Sequence, residues 1–328
     1  MQSVGLIASQ NGLGHARRLV HFSAGFQNLG YKVFLYLSNH QIHLLSQEIQ
    51  TTCPQVKVCE IYSHGLDGPT CSIEQIMEIP KTLSEDLRNL DFVISDNVTW
   101  PGNFLNSFIL MGHFSWIDYW KTKIFNNGGS LIQQSINETM KVSKWFTPID
   151  FSHIPTEMNH IKTVEIPLSR YESDKKVQKP RSESKIWYSI GTTGLNQFNY
   201  TEVIVELRKF DLEIIPSETH KSRNTQLPAL VLGRPGLGTI RDCLALNLPF
   251  LPCWVGEDPE LSRNQDTLKR IGLIPLEWEG NQEPDVDILR EFISERQIRY
   301  RIKEYWLGNS APINKILSLM GFKESKDE

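Results

Sequence analysis

Val4-Gly5-Leu6-Ile7-Ala8-Ser9-Gln10-Asn11-Gly12-Leu13-Gly14-His15-Ala16-Arg17-Arg18 joins a short apolar run to a glycine-bearing loop and then to a stretch of helical spacing. The short apolar run at 4–8 reads as a buried strand. Leu19, Phe22, Phe26 and Leu29 recur every three or four positions, so residues 15–29 are expected to be helical. Gly30 ends that helix and residues 32–37 form a second strand, which completes a β-α-β unit.

The same alternation continues outward. Further strands are expected at residues 56–61, 92–95 and 107–111, which makes the first part of the chain, residues 1–166, α/β. Residues 167–185 are polar, charged and without periodicity, the composition of a linker. Beyond them the pattern restarts with a strand at 186–190, a Gly/Thr loop, a helix at 201–210 and strands at 212–215 and 229–232. A second α/β domain is therefore expected over 186–308. The tail is helical in pattern from 285 to 319, interrupted around Gly308-Asn309-Ser310-Ala311-Pro312. Residues 309–328 are expected to form a C-terminal helix that packs back on the first domain.

Composition excludes several classes. The chain has 328 residues, 40% apolar and 22% charged, an ordinary globular composition at a length suggesting about two domains. No apolar run reaches the roughly 20 residues of a spanning helix. A net charge of −4, from 34 basic and 38 acidic side chains, offers no general attraction to a polyanion, so nucleic acid is not an expected partner. Met1-Gln2-Ser3 leads straight into the first strand without a basic segment and a long apolar one, which points to a cytoplasmic protein. Cys53, Cys59, Cys71, Cys243 and Cys253 are odd in number and form no CxxC pair, so they read as reduced thiols rather than a disulfide framework or a zinc site.

Three constellations are candidates for chemistry. In an open parallel sheet, ligands lie beyond the carboxyl ends of the strands, where the loop at 9–14 falls. Gly12 and Gly14 allow positive φ and close backbone approach, and the helix start offers free amides to an anion. The third glycine of the dinucleotide fingerprint is replaced by Arg17, which disfavours a nicotinamide site. His15, at the mouth of the helix, is a candidate base near neutral pH, or else a capping or packing residue.

A second loop, Leu232-Gly233-Arg234-Pro235-Gly236-Leu237-Gly238-Thr239-Ile240-Arg241-Asp242, also follows a strand and opens a helix. Gly236, Leu237 and Gly238 would present backbone amides and Thr239 a hydroxyl to a diphosphate. Asp242, placed in the first helical turn, would accept ribose hydroxyls or merely complement the helix dipole. Arg234 would meet a phosphate or carboxylate, or point to solvent.

The third is Phe92-Val93-Ile94-Ser95-Asp96-Asn97 with Gly112-His113-Phe114-Ser115-Trp116-Ile117-Asp118-Tyr119-Trp120. Asp96 or Asp118 would orient and charge-stabilise His15, and His113 is a competing base. Trp116, Tyr119 and Trp120 would stack on a sugar or an apolar acceptor, or simply pack under the loop.

These motifs, in this order, resemble the GT-B superfamily of glycosyltransferases, which includes the bacterial transferase that adds N-acetylglucosamine to lipid I. The donor signature of that superfamily, Gly-x-Gly-Thr-x-x-Glu-x-Leu, is matched through Gly236, Gly238, Thr239, Asp242 and Leu244. The match runs on through Pro249, Pro252, Glu260 and Asn264 to Ile271-Gly272. Gly12-Leu13-Gly14-His15-Ala16-Arg17-Arg18 is similar to the Gly-x-Gly-His-x-x-Arg opening shared with the nucleotide-sugar hydrolase of the pseudaminic acid pathway. Gly191, Thr192 and Thr193 resemble the loop that approaches the donor phosphates in the second domain. Asp242 stands for the usual Glu, and Leu261 for the second residue of a polar pair begun by Glu260.

The resemblance implies the GT-B fold, two Rossmann-like domains whose parallel sheets face across a central cleft, the first on the acceptor side and the second holding the nucleotide sugar. It implies an inverting, metal-independent glycosyltransferase of bacterial glycan or glycoconjugate biosynthesis. UDP-sugar is the expected donor, with no separate cofactor and no metal. The acceptor would be a glycan, a lipid-linked sugar or a protein. Arg17, Arg18, Lys121 and Lys123 are candidates for a basic patch that would hold the protein peripherally at the inner face of the cell membrane. Two other functions share these residues: a nucleotide-sugar hydrolase of an acidic-sugar pathway, and a sugar-nucleotide binding protein without catalysis.

Overall fold

The computed structural model describes residues 1–10, 13–62, 84–122, 128–171, 181–182, 184–189, 205, 213–216, 226–254, 258–280 and 286–324. It divides into two compact units, Met1–Ser169 with Ala311–Glu328, and Arg170–Ser310.

The first unit is built on β1 (Ser3–Ala8), α1 (Leu13–Asn28), β2 (Lys32–Ser38), α2 (Asn39–Thr52) and β3 (Lys57–Tyr62). It continues through α3 (Ser84–Arg88), β4 (Phe92–Asp96), β5 (Phe108–Met111), α4 (Trp116–Thr122), α5 (Gly128–Thr139), β6 (Val142–Pro148) and β7 (Thr163–Ile166). The strands form one seven-stranded sheet in the order β3-β2-β1-β4-β5-β6-β7, parallel throughout. Strand order reverses between β1 and β4, so the crevice outside their carboxyl ends is the ligand position of a doubly wound sheet.

Burial on both faces explains the uninterrupted apolar run of β1. Val4, Leu6 and Ala8 pack with Leu19, Phe22 and Phe26 of α1, while Ile7 packs with Tyr36, Val93 and Trp100 on the opposite face. Ser38 caps α2 in a reciprocal capping box with Gln41, and Gln41 Nε2 then donates to the Ser9 carbonyl at 2.8 Å. That bond fastens the end of β1 where the glycine loop begins.

The chain passes into the second unit through β8 (Leu168–Arg170). There β9 (Lys185–Ser189), β10 (Glu213–Pro216), β11 (Leu230–Gly233), α6 (Leu237–Ala245) and β12 (Phe250–Pro252) precede α7 (Pro259–Arg270), α8 (Val286–Ser294) and α9 (Arg296–Asn309). Among its described residues four strands are parallel in the order β10-β9-β11-β12. The chain returns through β13 (Ser310–Pro312), paired with β8, and ends in α10 (Ile313–Met320). Ile316, Leu317 and Met320 of α10 are buried in the core of the first unit, and Phe322 meets Phe26 edge-on at 4.8 Å between ring centres.

The tail departs from the single interrupted helix expected over 285–319. It is broken a second time at Glu295, between α8 and α9, and the interruption near 308–312 contains the short strand β13. Apart from Val205, the helix expected at 201–210 lies outside the described residues. Among the described residues no helix is long and apolar enough to cross a membrane.

Candidate active site

Asp96 is the last residue of β4 and stands in register with Ala8, the last residue of β1. His15 is the third residue of α1, the helix that β1 feeds, so both side chains arrive at the strand-order reversal. Nδ1 of His15 lies 3.0 Å from Oδ1 of Asp96. Arg18, one turn further along α1, grips the same carboxylate side-on, with Nε donating to Oδ2 at 2.8 Å and Nη2 to Oδ1 at 2.6 Å. Asp96 is fully buried. Burial alone would push its carboxyl up, but the Arg18 guanidinium and the His15 imidazole outweigh that and hold it below the ordinary carboxylate range.

The turn after Asp96 fixes its direction. Asn97 takes the left-handed conformation, φ 63°, and its amide donates to the Met111 carbonyl at 2.8 Å. Gly112, φ 142°, lies so close that a Cβ there would fall 1.5 Å from the Asn97 amide oxygen. Further on, Thr99 and Asn103 donate to the buried Glu138 carboxylate at 2.5 and 2.7 Å, which ties this loop to α5.

Of the two carboxylates that were candidates for orienting His15, Asp96 is the one bonded to it. Asp118 is buried in the first turn of α4, after β5, one strand further across the sheet. His113 and His15 share a neighbour in Phe114, whose ring centre lies 5.1 Å from His113 and 6.2 Å from His15. Trp116 packs edge-on against Phe114 at 5.2 Å and is buried. The Tyr119 and Trp120 side chains lie outside what is described.

Of the residues expected to contribute to a basic patch, Arg18 is drawn inward onto Asp96, Arg17 pairs with Glu48 at 3.0 Å and Lys121 with Glu157 at 2.6 Å. Lys123 lies outside the described residues, as do Gly12, Gly191, Thr192 and Thr193. Gly14 sits within the first turn of α1; a Cβ there would meet open space, so its backbone is approachable from outside.

In the second unit, β11 ends at Gly233 and Gly236 caps α6 with an extended backbone, φ −68° and ψ 143°. Glycine offers no capping side chain, so the amides of Leu237, Gly238 and Thr239 open the helix towards an anion. Asp242 is the sixth residue of α6, not in its first turn as expected, and it pairs with Arg241. The early helix start at Leu237 is the reason. Arg234 does not point to solvent: its side chain is four-fifths buried and Nη2 faces Asp258 at 3.8 Å. Asp258 in turn caps α7, accepting from the amides of Glu260 and Leu261.

Asn264 is completely buried and turned inward, its Nδ2 donating to the Pro235 carbonyl at 2.8 Å. It braces the loop before α6. Glu260 is half-buried in the first turn of α7, while the neighbouring Leu261 faces the core. Arg18, Asn97 and Gly112 carry the geometry at His15 without having been candidates for it. A signal existed for Arg18, since a residue three places after His15 shares its helix face.

No protein-family model and no curated protein matches the chain. Solved structures do. A kitacinnamycin glycosyltransferase superposes with a TM-score of 0.67 at 12% identity, covering 98% of each chain. UGT89C1 of Arabidopsis thaliana in complex with UDP gives 0.68 at 11% identity, again covering 98% of both chains. UGT2 of Phytolacca americana, complexed with UDP-2fluoro-glucose and pterostilbene, gives 0.63 at 12% identity over 98% of this chain and 99% of that one. Likeness at this level of identity speaks for the fold: the chain has the α/β fold of the GT-B glycosyltransferases.

Proposed function

We propose that the protein is a glycosyltransferase that moves a sugar from a nucleotide-sugar donor to an acceptor hydroxyl. The observation that carries this reading is the His15–Asp96 pair at the strand-order reversal of the first unit. Asp96 accepts the Nδ1 proton of His15, which leaves Nε2 as the base, the arrangement a carboxylate gives a catalytic imidazole. Nε2 takes the proton of the acceptor hydroxyl as its oxygen bonds to the anomeric carbon, and the bond from that carbon to the diphosphate oxygen breaks. One direct displacement inverts the anomeric centre. The departing diphosphate carries the electron pair; the amides at the start of α6, around Gly236, Leu237, Gly238 and Thr239, are the proposed anion site of the second unit.

UDP-sugar is the proposed donor, supported by the UDP and UDP-sugar complexes among the similar structures. Quercetin and pterostilbene in others favour a hydroxylated acceptor with an apolar body, alongside the glycan, lipid-linked and protein acceptors considered from sequence. The test begins with the thermal transition of the purified protein in the presence of uridine, cytidine, guanosine and thymidine nucleotides. A ligand at about 100 times its Kd stabilises by about 2.7 kcal/mol, a readable shift. The sugar conjugates of the nucleotide that binds are then incubated with and without acceptors. Transfer only with acceptor supports the proposal; equal sugar release without acceptor replaces it with hydrolysis, and binding without either leaves a nucleotide-sugar binding protein.

A further inference from the structure

The Asp96 carboxylate has two cationic or potentially cationic neighbours. A base that must accept a proton has to be neutral beforehand, yet a buried carboxylate demands a counter-charge and would draw a proton onto the imidazole beside it. Arg18 changes that balance. Its guanidinium is permanently charged and takes both carboxylate oxygens in a side-on fork, 2.8 Å from Nε to Oδ2 and 2.6 Å from Nη2 to Oδ1. The fork also pins Oδ1 where it meets His15 Nδ1 at 3.0 Å.

We propose that Arg18 is a positioning residue that supplies the counter-charge of Asp96, so that His15 rests as a neutral imidazole with its proton on Nδ1 and Nε2 open to accept another. The role of Arg18 rests on the reading of His15 as the base. In that resting state Arg18 and Asp96 cancel, and the cluster gains a net positive charge only when His15 takes the acceptor proton. Among the described residues, the charged and titratable groups near the imidazole are Arg18 from α1, Asp96 from β4, and His113 from the loop after β5, which shares the Phe114 ring with His15 as a neighbour. Nη2 of Arg18 also comes within 3.3 Å of His15 Nδ1, so the guanidinium stands beside both members of the pair.

The test is nitrogen NMR of the full chain with isotope-labelled histidine, the His15 signals assigned by their absence in His15→Gln. At about pH 7.5 wild type should show a neutral imidazole protonated at Nδ1, and an imidazolium there overturns the proposal without any variant. Arg18→Gln, which keeps hydrogen bonding but not the charge, should turn His15 into an imidazolium at the same pH. Its turnover should fall about tenfold or more near neutrality and recover as pH rises by about two units, with KM little changed. Arg18→Lys keeps the charge without the fork and should keep His15 neutral. If Arg18→Gln leaves His15 neutral, or lowers turnover equally at every pH, Arg18 is a packing residue and the proposal fails. The NMR signals do not depend on the reaction, so expected signals in a protein that transfers no sugar would count against the base assignment and not against Arg18.

Discussion

Nδ1 of His15 and Oδ1 of Asp96 lie 3.0 Å apart, although 81 positions separate the two residues in the chain. The sheet closes that gap, because β1 and β4 are neighbours and Ala8 stands opposite Asp96. With His15 as the base, His15→Ala should lower turnover about a hundredfold or more while leaving nucleotide binding in place. A loss within about threefold would assign the proton transfer to another group.

Asp96→Asn tests the same pair through stability. Burial pushes the Asp96 carboxyl up, but Arg18 and His15 overcome this and hold it below its ordinary value, so the folded state binds its proton less readily than the unfolded chain does. Such a group stabilises the fold above its unfolded pKa, about 3.9, and that stability is lost as pH falls through the lower folded value. Asp96→Asn also leaves the mostly buried Arg18 without its counter-charge, at a cost of about 3 kcal/mol near neutrality. Thermal transitions measured from about pH 7 downward should therefore show the gap between wild type and Asp96→Asn closing below about pH 4. A gap that stays constant with pH would mean that the Asp96 charge adds nothing to the fold.

Why the pair was only half legible in sequence follows from how parallel sheets are wound. β1, β2 and β4 announce themselves because burial on both faces makes them continuous apolar runs, and His15 and the glycines stand directly between strand and helix. Asp96 and Asp118 both follow apolar strands, and nothing local separates them. Only the reversal of strand order, which brings β4 next to β1 and sets β5 one place further out, favours Asp96. β6 and β7 escaped notice for the opposite reason. Ser143 and Lys144 are exposed at the start of β6, and Thr163, Val164 and Glu165 of the edge strand β7 are at least partly exposed, so their apolar signal is diluted. The position of Asp242 depended on one boundary. With Leu237 as the first helical residue, a side chain counted into the first turn falls in the second.

Gly112 offers a test remote from the reacting groups. Its φ of 142° suits glycine alone, and an added Cβ would sit 1.5 Å from the Asn97 amide oxygen, in the turn that follows Asp96. Gly112→Ala should cost about 2 to 4 kcal/mol from backbone strain and overpacking together. It should also lower turnover in the protein that remains folded, because the displaced side chain belongs to the residue that directly follows Asp96 in the turn. Full activity per folded molecule, measured below the lowered transition temperature, would separate the turn from the positioning of the carboxylate.

Gly236 makes stability and binding move in opposite directions. Its extended backbone and the open space around its α-carbon accept a side chain without strain, and an aspartate there would cap α6 where glycine cannot. Gly236→Asp should raise the stability of the fold by about 0.5 kcal/mol, from the cap and the helix dipole. The same carboxylate would stand where the proposed diphosphate rests, and like charges a few ångströms apart should weaken UDP binding about tenfold or more. Gly236→Asn supplies a cap of similar size without the charge, so calorimetric binding of UDP to the two variants separates repulsion from crowding. If both bind UDP like wild type, the amides at the start of α6 do not hold the diphosphate, whatever the fold suggests. If only the aspartate variant loses affinity while both gain stability, the empty cap of α6 is kept for the ligand at the expense of the helix.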